Sequence, residues 1–265
     1  MPTDDSPRTL ETVSRACAVV DALDELGGAG VTEVADHVGV SKSSAHAYLN
    51  TLRERRLVVK EGTTYRLSLE FLYLGNGVRH RHVLFPHAKS VVEGIAERSK
   101  EYVHLMCEQH GLERNIYKVA GENAVGSEYH MAKEQKADYL HFTASGKAVL
   151  AHLPEGRIDR IVETHGLVSK TPNTITDPVR LKNELDTIRE QGYAVNDEEE
   201  IVGIRAVGVP IRDETGAVLG GLSISGPTGR LTDTVCHEEL PELLKENANV
   251  IEARLNMSQA SESLK

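Results

Sequence analysis

Residues 31–50, VTEVADHVGVSKSSAHAYLN, are compatible with few folds. Apolar side chains fall at Val34, Val38, Val40, Ala45 and Tyr48, with the small Ala35 inside the first segment and Gly39 between the two. Two short helices joined by three or four residues must cross steeply. A small side chain at Ala35 lets the second helix come close, and Gly39 can take the positive-φ backbone that such a turn needs. The apolar set then fills the angle between the helices, and Ser41 is placed to N-cap the second. These positions agree, and together they predict a helix-turn-helix. The other reading is an αα-hairpin with no nucleic-acid role.

The flanks extend the motif. Residues 8–26 space Leu10, Val13, Cys17, Val20 and Leu23 by threes and fours, predicting an amphipathic helix that ends at Gly27-Gly28. Downstream, Leu57–Lys60 and Thr64–Leu67 alternate around Glu61-Gly62, predicting a two-stranded wing. The whole chain has a net charge of −10, yet residues 41–66 hold Lys42, Arg53, Arg55, Arg56, Lys60 and Arg66 against only Glu54 and Glu61. A basic island on an acidic protein fits a module that grips a polyanion. The second helix would present Ser41, Lys42, Ser43, His46 and Asn50 to a major groove. Asn50 could read adenine, Lys42 a phosphate or guanine, and His46 the backbone. Arg53, Arg56, Lys60 and Arg66 are expected on phosphates.

At 265 residues the chain has room for two domains. The expected division is a winged helix-turn-helix over 8–69, a linker helix over 70–87, a larger domain over 88–258 and a polar tail over 259–265. In the larger domain, 102–111, 113–121 and 124–132 alternate like antiparallel strands. Helices are expected at 88–100, 144–153, 178–191 and 238–255, with the third capped by Asp177 and stopped by Gly192. Residues 193–226 supply further strands around a hairpin at Asp213–Gly216. The fold class is therefore α+β.

Three stretches in this order, GVSKSSAHAYLNTL (39–52), LHFTASGKAVLAHL (140–153) and NDEEEIVGIRAVGVPIRDETGAVLGGLSISGP (196–227), resemble the IclR family of transcription regulators. The likeness runs over about residues 8–258. It implies a C-terminal GAF-like α/β effector-binding domain with an antiparallel sheet, and dimers often paired into tetramers. It also implies that Ser223 and Ser225 line a ligand pocket, that Ala144, Ser145 and Gly146 form the loop whose amides face the ligand, and that Ile204 is an apolar wall. Asn196 and Ala206 stand where some members that bind small oxo-acids carry Asp and Cys, which removes a charge and a thiol.

The residues support a pocket independently of that likeness. Ser223 and Ser225, two apart on a strand, project their hydroxyls from one face. The loop at 144–146 opens a helix, whose first amides favour an anion. A small metabolite bearing a carboxylate is the expected effector, and a pseudo-palindromic DNA duplex the expected macromolecular partner.

No catalytic residue, cofactor or metal is expected. GLSISGP has Ser225 where a nucleophile elbow needs Gly, and ASGK lacks the spacing of a P-loop. His104, Cys107 and His110 cannot all face one way on a strand. The three cysteines are widely spaced. The start is polar and acidic, and no apolar run approaches membrane-spanning length, so a cytoplasmic location without membrane contact is expected.

Overall fold

The computed structural model describes residues 8–127 and 137–263. Its contacts divide the chain after His80 into two units.

The first unit begins with α1 (Glu11–Glu25), α2 (Val31–Val38) and α3 (Lys42–Glu54). Ser41 caps α3 as expected, accepting from Ser44 N–H at 3.1 Å, and Gly39 takes φ 72° in the turn. Val34, Ala35, Ala45 and Leu49 are buried where the helices cross. Strands β1 (Val58–Glu61) and β2 (Thr64–Leu67) form the antiparallel wing, with Val58 opposite Leu67. Ala29 and Tyr65 exchange two backbone hydrogen bonds, which fasten the wing to the turn after α1.

α1 departs from its expected stripe. Val19, Ala22 and Leu23 are buried, whereas Leu10 and Val13 are more than half exposed and Cys17 is also exposed. The core of this unit reaches only the second half of the helix. α4 (Glu70–Arg81) buries no residue. The expected single linker helix over 70–87 is two helices: α4 stops at Arg81, and Pro86 lies in the first turn of α5 (Phe85–Ser99). A proline in a first turn removes no intrahelical bond, so it starts a helix here and does not interrupt one.

The second unit is built on a six-stranded antiparallel sheet in the order β5-β4-β3-β8-β7-β6. Its strands are β3 (Tyr102–Gln109), β4 (Leu112–Val119), β5 (Asp138–Tyr139), β6 (Ala194–Asp197), β7 (Ile204–Arg212) and β8 (Val218–Pro227). The strand expected over 124–132 is not seen at 124–127, and 128–136 lie outside the described residues. The two-residue period of the strands sorts the faces. Val103, Leu105, Val207, Val209, Leu222 and Ile224 pack with α5 and the C-terminal α9 (Leu240–Ser263). The opposite face carries His104, Met106, Ala206, Gly208, Ser223 and Ser225, beneath α6 (Ala144–Leu150) and α8 (Pro178–Gln191).

Glycine permits this second layer. A Cβ on Gly208 would lie 2.5 Å from Ser145 N and from the carbonyl carbon of Ala144, so the start of α6 rests directly on the β7 backbone. α7 (Glu155–His165), between Pro154 and Gly166, was not expected from the sequence. α9 continues through 259–263, into the stretch expected to be a polar tail, because SQASES contains neither Gly nor Pro to stop it.

Candidate functional site

Two surfaces carry the residues singled out by sequence. On the first unit, Lys42, Ser43 and His46 lie on the exposed side of α3, while Asn50 is half-buried. Ser41 combines an exposed position with its capping role. Arg53 and Arg56 are exposed at and just beyond the end of α3. Arg56 itself takes φ 64° where the chain turns toward the wing. Lys60 and Arg66 are exposed on β1 and β2. Asn50 is not an independent side chain: its Nδ2 lies 3.1 Å from His46 Nδ1, one helical turn away. When that ring nitrogen is unprotonated it accepts from the amide and fixes the amide plane. Arg66 is also engaged at home, its guanidinium donating to the Gly27 carbonyl.

In the second unit a cavity of about 370 Å³ opens between α6 and the polar face of the sheet. Strand register assembles it. Asn196, Ala206 and Ser225 are successive cross-strand partners, as are Gly208, Ser223 and His104. Ala144, Ser145 and Ile204, also expected from the sequence, line it as well. Gly146 does not line the cavity. Its amide is used by the helix cap, donating to Thr143 Oγ1 at 3.0 Å. The expected role for Gly146 is therefore corrected: the cap needs that N–H.

Among the lining residues missed from sequence are the buried polar His104, Glu113 and Thr143. His104 Nε2 hydrogen-bonds Ser225 Oγ at 2.9 Å, and Ser223 Oγ donates to Ser145 Oγ at 3.3 Å. The Thr143 hydroxyl donates to the Glu113 carboxylate, with both side chains buried. The alternation of β3 could have flagged His104, because it shares a face with Met106 opposite the apolar Val103 and Leu105.

One wall is tied from behind. Lys147, on α6, is completely buried, and its Nζ reaches Glu199 Oε1 at 2.5 Å and Glu184 Oε1 at 2.9 Å. Burial raises the Glu199 carboxyl above the ordinary glutamate value, and the Lys147 ammonium opposes that rise. Glu199 N–H donates to Asn196 Oδ1 at 2.8 Å. The next residues, Glu200, Ile201 and Val202, form part of the cavity wall. Among the described residues no group of His, Cys, Asp and Glu is arranged to hold a metal ion, and no helix is long and apolar enough to cross a membrane.

Comparison with known proteins assigns both units. Residues 12–62 match the IclR helix-turn-helix domain, and residues 77–253 match the family described as bacterial transcriptional regulator IclR C-terminal. The chain belongs to the IclR family. Among its relatives, a probable HTH-type transcriptional regulator ArcR of Halobacterium salinarum is 35% identical over 250 residues, 94% of this chain and 95% of that one. The crystal structure of the Thermotoga maritima IclR aligns with a TM-score of 0.74 at 33% identity, covering 93% of this chain and 99% of that one. An IclR homolog from Microbacterium hydrocarbonoxydans, complexed with 4-hydroxybenzoate, shares the fold: TM-score 0.76, 23% identity, 92% of this chain and 99% of that one. As a member of the IclR family the chain is a DNA-binding transcriptional regulator.

Proposed function

We propose that the C-terminal unit senses a small organic acid and that its occupancy alters how tightly the N-terminal unit holds DNA. The observation that carries this reading is the row of Ser223, Ser225, His104 and Ser145 around one cavity. The interior of a sheet-and-helix sandwich is ordinarily filled by apolar side chains, and polar groups grouped around an open space suit a ligand. The hydroxyls and the imidazole would hold the carboxylate, while Asn196 and Glu113 would accept from ligand hydroxyl groups. The homolog bound to 4-hydroxybenzoate supports an acid of this size.

On the DNA side, Lys42, Ser43, His46 and Asn50 would enter a major groove, with Arg53, Arg56, Lys60 and Arg66 on flanking phosphates. The protein would act in the cytoplasm as a dimer, or as a pair of dimers, on a pseudo-palindromic operator. Exposed Leu10 and Val13 near the start of α1, and Leu72, Tyr73 and Val78 on α4, offer apolar surface for pairing. A ligand could shift DNA affinity only by binding unequally to two arrangements of the dimer.

A thermal-shift screen of small organic, sugar and aromatic acids tests the cavity. Wild-type protein is expected to gain stability with at least one acid, and the Ser223→Ala/Ser225→Ala variant to lose that gain while still binding DNA. An undiminished gain in the double variant would place the ligand elsewhere.

A further inference from the structure

Asn196, on β6, stands in the wall of the cavity with its amide held in one orientation. Its Oδ1 accepts from Glu199 N–H at 2.8 Å. A backbone N–H only donates, so the oxygen of the amide must face it and the nitrogen is turned away. The segment that supplies this N–H is itself fastened. Thr171 Oγ1 donates to the Glu198 carbonyl at 2.7 Å, Thr174 Oγ1 to the Glu199 carbonyl at 2.6 Å, and Asn173 Nδ2 to the Asp197 carbonyl at 3.1 Å. Lys147 holds the Glu199 carboxylate.

Asn196 is 2% exposed, and its Nδ2 has no acceptor among the described residues. A donor kept in a buried wall without an acceptor is costly, so it suits a guest that brings one. Oδ1 has a second lone pair. That lone pair and Nδ2 make the edge with which an amide takes a donor and an acceptor side by side, as asparagine does on adenine. A ligand hydroxyl on Oδ1 therefore leaves Nδ2 for the oxygen next to it.

The sheet sets how far that pair lies from the carboxylate. Asn196 pairs with Ala206 and Ala206 with Ser225, so Asn196 and Ser225 stand two strand spacings apart, about 10 Å. A hydrogen bond of about 3 Å at each end leaves roughly 4 Å, the reach of a carboxylate to substituents about two or three carbons along an aliphatic chain. Ala206, between them, lines the cavity with only a methyl and leaves room for that chain.

We propose that Asn196 is a specificity-determining residue and selects an aliphatic acid with oxygens on its adjacent third and fourth carbons. One is a hydroxyl that donates to Oδ1, and the other is a hydroxyl or carbonyl oxygen that accepts from Nδ2. The inference rests on the reading of the cavity as an organic-acid site and narrows it. A second carboxylate brings acceptors only and opposes Oδ1, and a lone phenolic hydroxyl fills half of the edge.

The isomers 3,4-dihydroxybutanoate and 2,4-dihydroxybutanoate test this. They have equal charge and the same hydroxyl count, and only the first carries its hydroxyls side by side. Calorimetric titration of the full chain is expected to give a dissociation constant about tenfold lower for the 3,4 isomer, the scale of one hydrogen bond. In Asn196→Leu the two should bind within about twofold of each other. The ratio is read within each protein, so a loss of stability in the variant cancels.

Equal binding of the isomers by the wild-type chain, or a preference for the 2,4 isomer, overturns the proposal. A ratio that persists in Asn196→Leu takes the selection away from Asn196 and overturns it too. Binding of 4-hydroxybenzoate with neither isomer bound overturns it and leaves organic-acid sensing standing. If the chain responds to none of the acids in the thermal-shift screen, that broader reading fails before this one is reached.

Discussion

Lys147→Met removes the cation that ties α6 to the segment carrying Glu199. The lysine is fully buried and bridges two carboxylates of different exposure. Glu184 is about a third exposed, at 32%, and can rehydrate, whereas the Glu199 side chain is only 7% exposed and can recover little hydration. Breaking a buried pair by deleting one partner costs about 3–5 kcal/mol, most of it from the charge left behind. That is a large share of the ~5–15 kcal/mol that holds a typical domain together.

The loss should depend on pH. Glu199 already has a folded-state value above its ordinary 4.5, because burial outweighs the lysine. Without Lys147 it rises further. A carboxyl raised on folding contributes its stability fully below the unfolded value and loses it as pH climbs through the folded one. The deficit of Lys147→Met should therefore be greatest near pH 8 and shrink toward about pH 5, as Glu199 takes up a proton. Urea unfolding followed by circular dichroism across that range measures it. Lys147→Met/Glu199→Gln, which removes the stranded charge, should recover much of the loss. A deficit below about 1 kcal/mol, the size of an exposed pair, or one independent of pH, would refute the reasoning.

Gly208→Ala should destabilise the protein by about 1–3 kcal/mol, because the added methyl meets the backbone of Ala144 and Ser145 at 2.5 Å and backbone cannot turn aside; denaturant unfolding reads this, and an unaltered midpoint would mean that α6 can lift off β7. Arg53→Ala with Arg56→Ala should weaken binding to any duplex alike and flatten the salt dependence by about two for each protomer, one per phosphate lost; an unaltered slope in a salt titration would take those arginines off the backbone.

Local features were legible in the sequence because short-range chemistry fixes them. Ser41, Gly39 and Ala35 each answer to one turn, and each stands where its residue type requires. Asp177 caps α8 through Arg180 N–H at 2.8 Å for the same reason. The cavity was only partly legible. Ser223 and Ser225 share a face by strand period alone, but placing His104 beside Ser225 depends on how β3 registers with β8, and the two strands lie more than a hundred residues apart. Lys147 reads as a surface residue in isolation, because its two acidic partners come from α8 and from the segment after β6. Leu10 and Val13 illustrate the reverse case. Their periodicity predicts burial, yet among the described residues nothing covers them.

The account stands or falls on the coupling of the two units. The measurement is the affinity of the full-length protein for an operator duplex, with and without a saturating acid identified by thermal shift. A change of about five- to 150-fold, in either direction and absent in Ser223→Ala/Ser225→Ala, is the predicted result. Equal affinity with the cavity empty and full would contradict it.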